Sequence, residues 1–189
     1  MYHALFGDAR FLAALLGIDQ AMAAEAKAGG CDCGGVLHRG DFPRKPRGGP
    51  EGLGVEYGKR LSFCCAEEGC RKRRTPPSVR FLRRRVYWAV VVVVGAAFEG
   101  GVTAGRFRRL RELIGGSIDR RTLTRWVVWW RETLPKSRAW KAMAGLFWRR
   151  VAPGRMPLSF LELVPEDGAA MKVTRVLGLL SGCQTDQAM

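Results

Sequence analysis

The chain has few of the residues on which most catalytic centres are built. Its 189 residues include two histidines, His3 and His38, and 17 acidic side chains against 32 Lys and Arg. A nuclease centre that needs a pair of histidines beside its acids is poorly served by this supply. Beyond residue 135 the acids are Glu162, Glu166, Asp167 and Asp186, in helix-like or loop sequence. A carboxylate triad requires a sizeable β-rich core there. No GxxxxGK[ST] phosphate loop occurs. The expectation is a binding protein and not an enzyme. Long apolar runs are also missing: the longest, Val86 to Phe98, has thirteen residues, and a spanning helix needs about 20. No membrane partner is expected. The first residues lack a basic n-region, and Arg10 and Asp19 interrupt the apolar stretch that follows. No secretory signal is therefore expected, and the expected location is the cytoplasm, where close cysteines stay reduced.

What the chain has in excess is positive charge, +15 with a pI near 10.5. The excess is clustered. Residues 39–85 hold 14 basic and 5 acidic side chains, and residues 106–150 hold 13 and 3. The segment between these blocks carries only Glu99, and both ends of the chain are slightly acidic. Clustered Lys and Arg are the electrostatic footprint of nucleic-acid binders. Two such blocks predict two phosphate-contacting surfaces.

Five of the six cysteines lie within forty residues of one another: Cys31, Cys33, Cys64, Cys65 and Cys70. Segment 31–75 is rich in Gly and Pro and poor in apolar runs, so it needs a staple to fold. Two close pairs, Cys31/Cys33 and Cys65/Cys70, can bring four thiolates to one tetrahedral zinc. Gly34 and Gly35 after the first pair allow backbone N–H groups to turn toward sulfur. The gaps of one and four residues depart from the usual two, so Cys64 or His38 stays open as a replacement ligand. Four thiolates close the coordination sphere, which makes the expected ion structural and not catalytic. Cys183 stands apart.

Helical spacing marks residues 9–28, with Leu12, Leu15, Leu16, Met22 and Ala23 on one face and Gly29-Gly30 as the stop. Segment 86–98 is apolar all round. Its length and Ala-rich end predict a helix, against the strand preference of its valines. Thr103 is a candidate N-cap for a helix through Leu113, and Asp119 or Ser117 for one running to Leu134 before Pro135. In the latter, Leu123, Trp126, Val127, Trp130 and Leu134 form an apolar stripe opposite Arg120, Arg121, Thr124, Arg125 and Arg131. Trp126 and Trp130 belong to the core on that pattern; Trp129 stays ambiguous. Two helices joined by a short Gly-containing turn, the second cationic on its outer face, are the pattern of a helix-turn-helix. Its second helix would enter the major groove with Arg120, Arg121, Thr124 and Arg125 at base edges and Thr122 on phosphate. Arg44, Lys45, Arg47, Arg83, Arg84 and Arg85 are the candidate phosphate contacts outside it. Shorter helices are predicted over 137–150 and 170–181, with Ser159 and Glu162 at capping-box spacing.

Cys31-Asp32-Cys33-Gly34-Gly35, PRKPRG at 43–48, SFCCAEEGCRKRRTPPSVRFLRRRVY at 62–87 and TLTRW at 122–126 together resemble the zinc-ribbon plus helix-turn-helix proteins of bacterial insertion sequences. The resemblance spans about residues 20–150. It implies binding of double-stranded DNA at element ends or a promoter, near the nucleoid, with a transposase or recombinase chain as a further partner. The expected fold is mostly α with a small zinc-ribbon β module. Its parts are an N-terminal packing helix (1–30), a four-cysteine zinc ribbon with a basic loop (31–80), a helix-turn-helix domain (81–150) and a C-terminal helical tail (151–189). The alternatives are a DNA-binding subunit of an active transposase completed by another chain, and an RNA-binding ribbon protein.

Overall fold

A computed structural model of the chain describes residues 2–82, 86–98, 101–114, 118–147 and 151–182. It is mostly helical, with a small sheet region inserted after the first long helix. Helix α1 spans Ala9–Ala28. Asp8 caps it, its carboxylate accepting from the backbone N–H groups of Arg10 and Phe11. Phe11, Leu12, Leu15 and Leu16 form its buried face, and the helix stops at Gly29-Gly30 as the sequence predicts.

The small sheets follow. Strands β1 (Leu37–Arg39), β4 (Phe63–Cys65) and β5 (Arg73–Arg74) form an antiparallel three-stranded sheet with β4 in the middle. Strands β2 (Phe42–Pro43) and β3 (Lys59–Arg60) pair separately. The register sets His38 opposite Cys64 and Cys64 opposite Arg73. Since side chains alternate between faces, Leu37, Phe63 and Cys65 lie on the other face. There they form a small cluster with Leu61 and with Ala23 of α1.

The remaining helices build the main core. Helix α2 (Ala89–Phe98) is at its centre. Five consecutive valines, Val90 to Val94, are at most 1% exposed. β-Branched residues are mediocre helix formers, but a segment buried on every side must satisfy its own backbone, and a helix does that without neighbours. The N-terminal turn Tyr2–Phe6, α4 (Arg120–Val128) and α7 (Ala169–Gly182) pack around it. Helix α3 (Ala104–Leu113) precedes α4, and α5 (Arg138–Phe147) and α6 (Leu158–Leu163) complete the bundle. No helix among the described residues is long and apolar enough to cross a membrane.

Two details differ from the sequence expectation. Helix α4 ends at Val128, and the chain continues through a π-helical turn, Trp129–Thr133, and a 3₁₀ turn, Leu134–Lys136. The wider turn keeps both Trp130 and Leu134 buried. Ser159 caps no helix: its hydroxyl donates to the carbonyl of Ala152 at 2.8 Å, and Glu162 pairs with Arg155.

A buried ion pair joins the sheets to the bundle. Asp19, on α1, accepts from Arg80 Nε at 2.8 Å, from Ser78 Oγ at 2.5 Å and from the Val79 N–H at 2.7 Å. Arg80 also donates to the carbonyls of Glu56, Tyr57 and Lys59. Removing one partner of such a pair leaves an uncompensated buried charge, at a cost of about 3–5 kcal/mol. Asp19→Ala is expected to lose stability of that order in urea denaturation, well beyond Glu25→Ala on the exposed side of the same helix.

Candidate metal centre and arginine-bearing helix

Cys31 and Cys33 follow directly on the end of α1, in a turn closed by a 2.8 Å hydrogen bond from the Gly34 N–H to the Cys31 carbonyl. Gly34 has φ +80°, the left-handed region that favours glycine. Gly35 is needed for space instead: a Cβ there would lie 2.7 Å from Cys65 Sγ and 3.3 Å from Cys33 Sγ. Cys65 sits on β4 and is buried. Cys70 comes round on the turn that follows, where its N–H donates to the Glu67 carbonyl at 3.0 Å. The four-residue gap of the second pair is the length of this turn.

The four sulfurs of Cys31, Cys33, Cys65 and Cys70 lie within 4.8 Å of one another. Cys31 and Cys70 are 3.7 Å apart, Cys33 and Cys65 3.4 Å. A tetrahedral ion with metal–sulfur bonds of about 2.3 Å needs sulfur–sulfur edges of about 3.8 Å. The set therefore fits a thiophilic metal such as zinc, and its members are the four cysteines the sequence singled out. Neither open replacement joins them. Cys64 and His38 are cross-strand neighbours, on the face of the sheet turned away from Cys65. Cys183 lies outside the described residues.

The thiols are unequal. A hydrogen bond from the Gly35 backbone, supported by the neighbouring thiols, lowers the Cys33 pKa to about 7. Burial pushes Cys65 up to about 12. A metal entering the site therefore finds Cys33 partly ionised at neutral pH and must displace the proton of Cys65.

The second site is the outer face of α4. Asp119 caps the helix, accepting from the Thr122 N–H at 2.5 Å; this hydrogen bond lowers its pKa. Thr122, Leu123 and Trp126 are buried. Arg121, Thr124, Arg125 and Val128 are exposed, and their i, i+3, i+4, i+7 spacing puts them in one stripe. The predicted contacts separate accordingly. Arg121 and Arg125 are on the stripe, with Arg125 Nη2 donating to Thr122 Oγ1 at 2.8 Å. Thr122, expected on phosphate, is in the core because it falls on the inner side of the helix. Arg120 is exposed but donates to the Val102 carbonyl at 3.0 Å, tying α4 to the segment before α3. Trp126 and Trp130 are core residues, 2% and 0% exposed. Trp129 is half-buried and packs edge-on against Trp130.

Of the remaining predicted contacts, Lys45 and Arg47 are exposed and Arg44 is half-buried. The backbone of Arg47 pairs with Val86 and Trp88, docking this loop on the bundle. Arg83, Arg84 and Arg85 lie outside the described residues. The exposed cations that follow the last cysteine were not singled out from sequence: Arg71 and Lys72 on the turn after Cys70, and Arg73 and Arg74 on β5. Their direct attachment to the last cysteine of the set was the available signal. Arg73 donates to the Gly40 carbonyl at 2.7 Å, at the end of β1, and Arg74 to that of Gly30, which holds the sheet to the end of α1.

Compared with protein-family profiles, curated proteins and solved structures, the chain matches none.

Elemental analysis should find one thiophilic ion per chain. Cys31→Ser, Cys33→Ser, Cys65→Ser and Cys70→Ser should each lower that content, and Cys64→Ser should not. Because uptake displaces thiol protons, affinity falls as pH falls. A competing chromophoric chelator should strip the metal more readily at about pH 6 than at about pH 8.

Proposed function

We propose that the chain is a sequence-specific, double-stranded-DNA-binding protein of mobile-element origin. Zinc held by Cys31, Cys33, Cys65 and Cys70 staples a ribbon, and α3 and α4 act as a helix-turn-helix whose second helix reads the major groove. The observation that carries this reading is the stripe of Arg121, Thr124, Arg125 and Val128 on a capped helix whose opposite side is anchored in the core. A reading helix needs that arrangement: a rigid inner face, and an outer face of long hydrogen-bonding side chains. Arginine can grip guanine O6 and N7 with two bonds, and the methyl groups of Thr124 and Val128 suit a thymine methyl.

Further support comes from the exposed arginines of α3, Arg106, Arg108, Arg109 and Arg111, which supply phosphate contacts beside the reading helix. The ribbon adds Lys45, Arg47, Arg71 and Lys72, held in place by the metal and by the docking of the Arg47 backbone on the bundle. Zinc in this role is a folding element. Its four thiolates leave no position for water or substrate, and the thiol set selects it over oxygen-preferring ions.

Fluorescence anisotropy on duplexes obtained by in vitro selection tests the reading. Log Kd should change linearly with log salt, steeply enough to report several phosphate contacts. Arg121→Ala or Arg125→Ala should cost about 1–3 kcal/mol on the selected duplex and little on random DNA. Lys45→Ala should weaken both alike. A salt-independent Kd, or equal losses on selected and random duplexes for the α4 variants, overturns the assignment. Stronger binding to structured RNA of equal length would reassign the partner.

A further inference from the structure

We infer that the chain forms a two-fold dimer through the groove between the start of α1 and α7. The groove has a volume of about 500 Å³. Its floor is apolar, formed by Phe11, Ala14, Ala170 and Met171, and Met171 is 58% exposed. Four charged side chains also line it, two of each sign: Asp8 and Glu166, Arg10 and Arg175. Arg10 is exposed, and its guanidinium makes no ion pair among the described residues. Glu166 pairs through Oε1 with Arg175 at 3.5 Å, while its Oε2 is buried with no hydrogen-bond partner. At 3.5 Å that pair is loose, and the Glu166 side chain is 23% exposed, so the carboxylate can take a second, closer cation.

The occupant whose charges match this patch is a second copy of this chain. An isologous interface brings each element of a patch against its counterpart, so a patch carrying both halves of an ion pair completes it twice. Arg10 of each copy then meets Glu166 of the other, and each Met171 packs on the other copy's groove floor, as an adaptable side chain can. Long-range charge selects the same face. The chain carries +15, yet residues 2–28 sum to −1 and residues 151–182 to zero. Two copies repel through either basic block and can approach through this face. None of the groove's lining residues belongs to either basic block.

Sedimentation velocity on the full chain, freed of nucleic acid, is the test, and its result does not depend on whether DNA is bound. Wild type should sediment at twice its 21.0 kDa mass at micromolar concentration. Arg10→Glu and Glu166→Arg should each sediment as monomers, since each sets like charges face to face in both halves of the interface. An equimolar mixture of the two variants should recover the dimer. Across one half of the mixed interface the two substituted side chains form an ion pair of reversed polarity, and across the other half the native pair re-forms. A contact within one chain gives no such recovery. Met171→Glu, at an exposed position where folding is not at risk, should also be monomeric, with an unchanged circular dichroism spectrum. A monomeric wild type, a dimeric M171E, or a mixture that stays monomeric overturns the inference.

Discussion

The ion pair between Asp19 and Arg80 is the joint between the cysteine-bearing sheet and the helices, and it lies wholly inside the molecule. The two residues are 1% and 0% exposed, and taking both charges out of water costs several kcal/mol per ion before anything is gained. The cost is offset by the hydrogen bonds that both groups make. The carboxylate receives Ser78, Val79 and Arg80; the guanidinium reaches three carbonyls between residues 56 and 59. Three stretches far apart in sequence meet there: α1, the loop returning from the basic segment, and the TPPSVR segment. Hydrophobic contact alone would let α1 slide along such a junction. A charge pair with fixed donors does not, so it sets the register between sheet and bundle.

The same pair changes the meaning of the net charge. Arg80 belongs by sequence to the first basic block, but it is neutralised and hidden. Arg60 is also buried, donating to the carbonyls of Pro76 and Pro77. Arg73, Arg74 and Arg120 are exposed yet hydrogen-bonded to backbone, so they fix segments to one another as well as carrying charge. A count of arginines therefore overstates the positive charge left at the surface for a partner.

Local signals were legible where the physics is local. The limits of α1, the caps Thr103 and Asp119, and the four clustered cysteines depend on spacing and side-chain chemistry within a few residues. The preference for Cys65 over Cys64 follows from strand alternation, which sends neighbours to opposite faces. Helix α2 was legible as buried and only by length as helical, since valine favours strand and burial on all sides decides otherwise. What stayed hidden depends on contacts distant in sequence. Nothing near Asp19 announces a partner sixty-one residues away. The π-helical turn after Val128 arises because Trp130 and Leu134 must both reach a core assembled by other helices. Thr122 looked available because its hydroxyl is polar, yet it falls on the side of α4 that the bundle covers. Ser159 and Glu162 have the spacing of a capping box but were claimed by Ala152 and Arg155.

Two cores of unequal size set what a metal at the four cysteines would contribute to this chain. The main one runs from Leu5 to Leu180 and includes most of the buried aromatics. The smaller one consists of Ala23, Leu37, Leu61, Phe63 and Cys65, too few apolar side chains to order three short strands against their conformational entropy. Metal ligation there would close the loop between residues 33 and 65 and make the metal-binding free energy part of the folding free energy of that sheet. The bundle has no such requirement. The cysteine cluster and the ion pair are thus two separate links: the cysteines bring the end of α1 to the sheet, and Asp19 with Arg80 joins α1 to residues 56–59 and 78–80.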